Sequence, residues 1–307
     1  MRCLILGGTG FLGRHIGRAF FSAGYEVWAL DRSTASPVES MPWLKACIQS
    51  EYADVTRWWN ECPHPDVVVH LASSTVPATA NEDPVTDASV NLVGALQLVK
   101  GLGEHQFKGR LLFASSGGAV YGVPQVVPLP EDHPTLPIGA YGVTKMAIEH
   151  HLRVAEAMNG LDYRVLRLSN PYGEWQHPNR IQGVIAVFAH RALHRQPLDV
   201  WGDGSVVRDF VYAADIGQAF LAAHRHEGIS RIFNVGGGVG HSVNQIIDVL
   251  SKLLNGTVQR RSHPSRSFDP PINVLDIRKA REELDWQPVT GFEEGLGKTL
   301  TWLRTLP

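Results

Sequence analysis

The sequence predicts an α/β fold: a doubly wound parallel sheet followed by a smaller C-terminal α/β unit. Three observations predict it. Short apolar runs alternate with longer stretches of helical spacing through the first half of the 307 residues. A glycine-rich turn, Gly7 to Gly13, follows the first of those runs directly. Near Asn170 the texture changes, as Pro, Gly, Asn and His collect. Strands buried on both faces and joined by crossover helices produce the first pattern. Right-handed crossovers then wind the sheet in two directions from its middle.

Taken in order, apolar runs predict strands at 3–6, 27–30, 67–70, 111–115 and 164–168, with a further strand ahead of Asp54. Helical spacing predicts helices over 11–22, 85–102 and 141–158. Beyond that, 170–180 reads as a loop, 181–194 and 213–225 as helices, and 198–201, 208–211 and 231–235 as strands. Helices over 243–254 and 292–303 flank a basic loop at 260–266. The expected division is 1–169 plus roughly 211–238 for the first domain, and 170–210 with 239–307 for the second.

Composition narrows the function. A net charge of -2, with 44% hydrophobic and 19% charged residues, is ordinary for a globular chain. It gives no electrostatic reason to bind nucleic acid or an anionic membrane. Cys3, Cys47 and Cys62 are odd in number and form no CxxC pair, as expected of reduced thiols. The N-terminal apolar run is too short for a secretion signal, and no stretch approaches a membrane span. The cytoplasm is therefore expected. The 14 histidines fall into no ligand spacing, so no metal is expected.

The chemistry-bearing motifs follow. In Gly7-Gly8-Thr9-Gly10-Phe11-Leu12-Gly13, Gly7 permits the tight turn, Gly10 the approach of a pyrophosphate, and Gly13 close helix–strand packing. Phe11 and Leu12 open a helix whose free N–H groups and dipole suit phosphates. This is the Rossmann arrangement of a dinucleotide site. Asp31, at the end of the second strand, is placed to grip the adenosine ribose hydroxyls and to repel a 2′-phosphate, which favours NAD over NADP. Arg32 beside it argues the other way, since arginine can hold that phosphate. Asp54 and Val55 stand where adenine contacts occur, or serve ordinary turn chemistry. Leu71, Ala72 and Ser73 follow a strand at the ligand-binding edge.

Tyr141 and Lys145, four apart, share one helix face. A phenol of pKa ~10 is a poor base at neutral pH. A nearby ammonium and a positive nicotinamide ring favour phenolate, so Tyr141 can take a hydroxyl proton as hydride leaves.

Together, GGTGFLG at 7–13, HLAS at 70–73, SSGGAVYG at 115–122, YGVTK at 141–145, RLSNPYG at 167–173, GDGSVVRDFVYAADI at 202–216 and LDWQPVTGFEEGL at 284–296 resemble the extended short-chain dehydrogenases/reductases. More narrowly, they resemble the NAD-dependent epimerase/dehydratase family acting on nucleotide sugars, whose best-known member is UDP-glucose 4-epimerase. The resemblance implies NAD as cofactor and a nucleotide sugar as substrate. It implies that Asn91 supports the lysine, that Ser115 belongs with the cofactor residues, and that Asn170 and Arg208 meet the sugar-nucleotide phosphates. Arg266 and Asp269 are implied to contact the diphosphate and ribose. Arg208 could instead pair with Asp209 or Asp215. Trp201 is placed to flank a uracil ring or to pack in the core. The family usually dimerises through four helices, here 85–102 and 141–158 with their twins.

One departure stands out. Where the family has a Ser or Thr near the reacting oxygen, this chain has Gly117. Either Ser116 takes that role or Tyr141 works without a side-chain hydroxyl. Gly118 and Ala119 replace the acids of the family's dehydratases and decarboxylases, which disfavours those reactions. The expected activity is epimerisation of a UDP-hexose at C4 through a 4-keto intermediate with retained NAD. The alternatives are reduction of an NDP-4-keto-sugar, or non-catalytic nucleotide sensing or scaffolding.

Overall fold

The computed structural model describes residues 1–32, 41–62, 64–179, 183–265 and 270–306. The first half runs β1 (Arg2–Leu6), α1 (Phe11–Ser22), β2 (Glu26–Asp31), β3 (Leu44–Gln49), α2 (Val55–Trp59), β4 (Val67–His70), α3 (Pro77–Glu82), α4 (Pro84–Asp87), α5 (Gly94–Glu104), β5 (Arg110–Ser116), α6 (Ala140–Asn159) and β6 (Asp162–Leu168). The second half runs β7 (Asn170–Tyr172), α7 (Val184–Leu193), β8 (Leu198–Trp201), β9 (Val207–Tyr212), α8 (Ala213–Arg225), β10 (Ile232–Val235), β11 (Gly240–Ser242), α9 (Val243–Leu253), β12 (Arg260–His263), β13 (Ile272–Asn273), α10 (Arg278–Leu284) and α11 (Phe292–Leu303).

Seven parallel strands form one sheet in the order β10-β6-β5-β4-β1-β2-β3. The winding direction reverses between β1 and β4, and ligands of such sheets bind in the crevice at the strands' carboxyl ends there. Side chains alternate across the sheet. Ile5, Val69, Leu112 and Leu166 face α1 and α8, meeting Ile16, Phe20, Ile216 and Phe220. Their neighbours Leu4, Val68, Leu111 and Val165 face the other layer, meeting Trp58 of α2, Leu98 and Leu102 of α5, and Ile148 and Leu152 of α6. Each such buried side chain contributes about 1.5–3 kcal/mol. This two-sided burial is why the strands read as unbroken apolar runs.

The exception is β3. It lies at the sheet edge and buries only Leu44 and Ile48, so it lacks an apolar run and its bounds were not legible. The remaining strands make a small mixed sheet, β11-β9-β13 with β7 on β9, and a parallel β8/β12 pair. Buried residues of α7, α9 and α11, such as Phe188, Ile246 and Leu300, cover them. Two expected loops are thereby corrected. The 170–180 segment opens with β7, and the basic 260–266 segment opens with β12, whose side chains are exposed or half-buried and carry no apolar signature. No described helix is long and apolar enough to cross a membrane.

The helix expected over 85–102 is also different. It is a single turn, α4, then a widened π-helical turn Ala88–Val93, then α5. The Tyr52 hydroxyl donates to the Val90 carbonyl at 2.8 Å, stabilising the widened turn from far away in sequence. Such turns gather at functional sites, and this one carries Asn91.

A buried polar network ties β5, β6, β10 and α6 together. Arg167 donates to Glu149 through Nη2 (2.7 Å) and Nε (3.2 Å), and to the Tyr121 hydroxyl through Nη1 (3.0 Å). Tyr121 donates to Asn234 Oδ1 at 2.7 Å. Burial works against the Arg167 charge, but the Glu149 carboxylate holds its pKa above the ordinary range. Breaking a buried pair on one side strands the other charge, at about 3–5 kcal/mol. Glu149→Ala is therefore expected to lower stability by that amount in denaturant titration. A midpoint equal to wild type would mean that the pair does not hold these elements together.

Candidate active site

The glycine turn after β1 leaves little room for side chains. Gly7 has φ +88°, and a Cβ on Gly13 would lie 2.4 Å from the Gly7 carbonyl oxygen and 2.5 Å from that of Gly8. Close packing of α1 on the turn thus demands glycine there. Gly10 caps α1 with no side-chain hydrogen bond, so Phe11 and Leu12 begin a helix whose first N–H groups are not taken by a capping side chain. Asp31 Oδ2 accepts from the Thr9 N–H at 2.8 Å. Burial raises the Asp31 pKa, and the Thr9 hydrogen bonds oppose the rise. Arg32 is exposed beside it. The cradle without Cβ atoms, the open helix start and the carboxylate at the end of β2 together fit a dinucleotide.

The neighbouring strand ends converge on this turn. The Leu71 N–H donates to the Leu6 carbonyl at 3.0 Å, and the Ala72 backbone lies against Gly7. Ser73 is exposed, its hydroxyl donating to the Thr75 carbonyl. Asp54 caps α2 by accepting from the Arg57 N–H at 3.3 Å, and Val55 is buried against α5. The carboxylate of Asp54 therefore has a local structural use.

Tyr141 and Lys145 stand on α6 as the spacing required. Lys145 is buried, with Nζ donating to the Ala114 carbonyl at 3.0 Å. Nζ sits 4.8 Å from the centroid of the Phe113 ring and 5.5 Å from that of Tyr141. Burial pushes the lysine down to about 8, against the pull of Asp87 and Glu149. Burial and then the Asp87 charge push Tyr141 up to about 12. Both effects favour the neutral phenol of Tyr141, and a positive charge near the ring works the other way.

Behind the pair lies a cluster that spacing alone did not expose. Asn91 accepts from the Ser74 N–H through Oδ1 (2.9 Å) and donates through Nδ2 to Thr75 Oγ1 and Asp87 Oδ1, each at 2.8 Å. Asp87, fully buried, also accepts from the Thr75 hydroxyl and, at 2.5 Å, from that of Thr144. Glu149 accepts from Ser115 Oγ at 2.5 Å. The Ser115 hydroxyl, expected beside the cofactor, is thus turned inward. Glu149 had one sequence signal, standing four residues after Lys145 on the same helix face. Asp87 and Thr75 had none.

Gly117 is explained by a residue far away in sequence. A Cβ there would lie 2.6 Å from Leu275 Cδ1, and Leu275 is fully buried. The space of a serine side chain is filled by leucine. Ser116 is half-buried, its carbonyl accepting from Ala119 and Val120 in the turn after β5. Among the described residues its hydroxyl has no hydrogen-bond partner.

The residues expected on the substrate side gather on the small mixed sheet. Asn170 pairs with Phe210 across β7 and β9, and its Nδ2 donates to the Asp209 carbonyl at 2.8 Å. Arg208, two residues along β9, donates to the Pro270 carbonyl at 2.8 Å. Asp209 is occupied by the Gly237, Gly238 and Leu275 N–H groups, and Asp215 by Thr290. Neither aspartate is placed as the Arg208 counterion. Trp201 is half-exposed and stacks on His263 at 5.0 Å, so it is not a core residue. Arg266 and Asp269 lie outside the described residues.

A dinucleotide cradle with a Tyr–Lys pair beside it defines a proton- and hydride-handling nucleotide enzyme. Residues 3–236 match the NAD dependent epimerase/dehydratase family, and the chain belongs to that family. It is 32% identical to UDP-glucose 4-epimerase of Mycolicibacterium smegmatis, over 99% of both chains. UDP-glucose 4-epimerase of Thermotoga maritima, solved with UDP-glucose, superposes with a TM-score of 0.92 at 34% identity over 99% of both chains. The UDP-glucose 4-epimerase of Thermus thermophilus, solved with NAD, gives 0.91 at 33% identity over the whole of both chains.

Overpacking a filled core position costs about 1–3 kcal/mol. Gly117→Ser is therefore expected to lower the thermal midpoint rather than to improve catalysis. A variant as stable as wild type would mean that Leu275 does not close the niche.

Proposed function

We propose that this protein is an NAD-dependent 4-epimerase of a UDP-hexose, working through a 4-keto intermediate. The observation that carries the reading is the pairing of Tyr141 with buried Lys145 on α6, next to a strand-end turn whose residues 117–119 are Gly, Gly and Ala. That turn has no second acid or base for elimination or decarboxylation. The similarity to UDP-glucose 4-epimerases over nearly the whole chain supports the same reading.

Gly7, Gly10, Phe11, Leu12 and Gly13 hold the pyrophosphate, Asp31 the adenosine ribose, and Leu71, Ala72 and Ser73 line the same edge. NAD, when bound there, supplies the hydride acceptor at the start of a turnover and the donor at its end. Lys145, braced by the Ala114 carbonyl, lowers the cost of a negative Tyr141 oxygen. Tyr141 takes the proton of the sugar 4-hydroxyl and returns it to the 4-oxygen once the 4-keto sugar has turned over, so that C4 regains its hydrogen on the opposite face. Ser116, the residue before Gly117, hydrogen-bonds the reacting oxygen. Asn170 and Arg208, with Arg266 and Asp269, hold the diphosphate and ribose, and Trp201 offers a face to the uracil. In this reading, residues 1–169 with roughly 211–238 serve the cofactor, and 170–210 with 239–307 serve the sugar nucleotide.

The same reading makes the protein a homodimer. Val143, Val154 and Met158 form an exposed stripe on α6, and Val90 and Val93 are exposed just before α5; pairing with a twin would cover them in four helices. The unpaired thiols Cys3, Cys47 and Cys62 support a reducing, cytoplasmic setting.

The purified protein, without added cofactor, is expected to interconvert UDP-glucose and UDP-galactose, or their N-acetyl counterparts, in proton NMR. A lack of interconversion, with NADH consumed on a 4-keto sugar, would replace the epimerase by the reductase. Tyr141→Phe is expected to lower kcat by ~10²–10⁴-fold while NAD stays bound; wild-type turnover would remove Tyr141 from the mechanism. Arg208→Ala is expected to weaken UDP binding by ~10–100-fold in calorimetry, the loss of charge-assisted hydrogen bonds. Unchanged affinity would cancel that assignment.

A further inference from the structure

We propose that Asp87 is a positioning residue for the Tyr141–Lys145 pair: a buried carboxylate that ties α6 to the π-helical turn and to the loop after β4, and places a negative charge behind both catalytic side chains. The inference rests on the epimerase reading for its kinetic part only.

The geometry of Asp87 is that of an ionised acceptor. Oδ1 accepts from Asn91 Nδ2 and the Thr75 hydroxyl, and Oδ2 from the Thr144 hydroxyl. Thr75 also accepts from Asn91 Nδ2 (2.8 Å), which leaves its own proton for Asp87. Asn91 Nδ2 can only donate, both threonine hydroxyls have a proton to give, and the side chain is fully buried. A buried carboxylate without such donors is strongly disfavoured.

The donors come from three places that must keep register. Thr144 lies between Tyr141 and Lys145 on α6, so the Asp87 contact fixes the rotation of that helix about its axis. Asn91 belongs to the π-helical turn held by Tyr52. Thr75 belongs to the loop that follows Leu71, Ala72 and Ser73 from β4. Asp87 is the point where cofactor edge, π-helical turn and catalytic helix meet.

The charge acts as well as the geometry. The groups facing the pair are Asp87 from α4, Glu149 from α6 and His70 from β4. His70 is held near 3 by burial and then by the Lys145 charge, so it is neutral. Glu149 is engaged by Arg167 and Ser115. Asp87 alone among the described residues acts on both members, favouring the ammonium of Lys145 and the neutral phenol of Tyr141. Bound NAD would bring a positive charge near the ring and so, with Lys145, would favour release of the Tyr141 proton against the effect of Asp87.

Two isosteric variants separate the two roles. Thr144→Val removes the tie and keeps the charge. It is expected to lower kcat by about 10²-fold, as a small misplacement of a reacting group does, with KM for the UDP-sugar and the pH profile unchanged. Asp87→Asn removes the charge. It is expected to move both limbs of the kcat profile to lower pH, because Tyr141 and Lys145 each give up a proton more readily. The same displacement is expected without turnover, in the Cζ resonance of ¹³C-labelled Tyr141, assigned by its loss in Tyr141→Phe. An unmoved Tyr141 titration in Asp87→Asn would overturn the charge role, and an unchanged kcat in Thr144→Val the positioning role. If the wild type does not epimerise, the function reading fails, while the Tyr141 resonance still decides the role of Asp87.

Discussion

A lysine ammonium buried in an α/β core is the constraint around which this molecule is arranged. Lys145 is 5% exposed, and an uncompensated charge at such a depth would neutralise or unfold its surroundings. Compensation comes from three directions. The Ala114 carbonyl near the end of β5 accepts from it, the Phe113 ring offers its face, and two carboxylates favour its charge, Glu149 from the same helix and Asp87 from α4. Each supplier is then committed. Glu149 must be held by Arg167, which recruits β6, and Arg167 in turn engages Tyr121 and, through it, Asn234 of β10. A chain of buried polar contacts thus runs from the lysine's helix to β6 and on to β10.

The other half answers a different demand, that backbone approach backbone. The packing of α1 on its turn tolerates no Cβ at Gly13, and Asp31 holds the turn through the Thr9 N–H. The two demands meet at the reversal of the sheet between β1 and β4, where an open crevice is unavoidable. Topology places the ligand crevice there, and Tyr141 shares its helix with the buried lysine, whose Nζ lies 5.5 Å from the tyrosine ring.

What could be read in the sequence was what lies close along the chain. The glycines of the turn, Asp31 at a strand end, and Tyr141 four before Lys145 are local relations, and they were legible because helix and strand periods convert spacing into direction. The strands with both faces buried are legible for the same reason, while edge strands β3 and β12 are not, since β3 buries only Leu44 and Ile48 and β12 buries none of its side chains. Asp87 sat inside what looked like a regular helix. Its meaning depends on Thr144, 57 residues away, and on a widened turn created by Tyr52. Gly117 looked like a missing catalytic hydroxyl, and only the position of Leu275 gives it a reason. Position at a strand end does not by itself reveal that Asp54 caps α2 or that the Ser115 hydroxyl donates to Glu149.

The niche at Gly117 and the leucine that fills it make two positions far apart in sequence depend on each other. Leu275 sits in a segment anchored on Leu129 and Asp209, so room at 117 has to come from its side chain. A side chain at 117 meets the methyl groups of Leu275, and a smaller residue at 275 leaves a hole beside β5. One volume is shared by both positions, and a change at either is felt at the other.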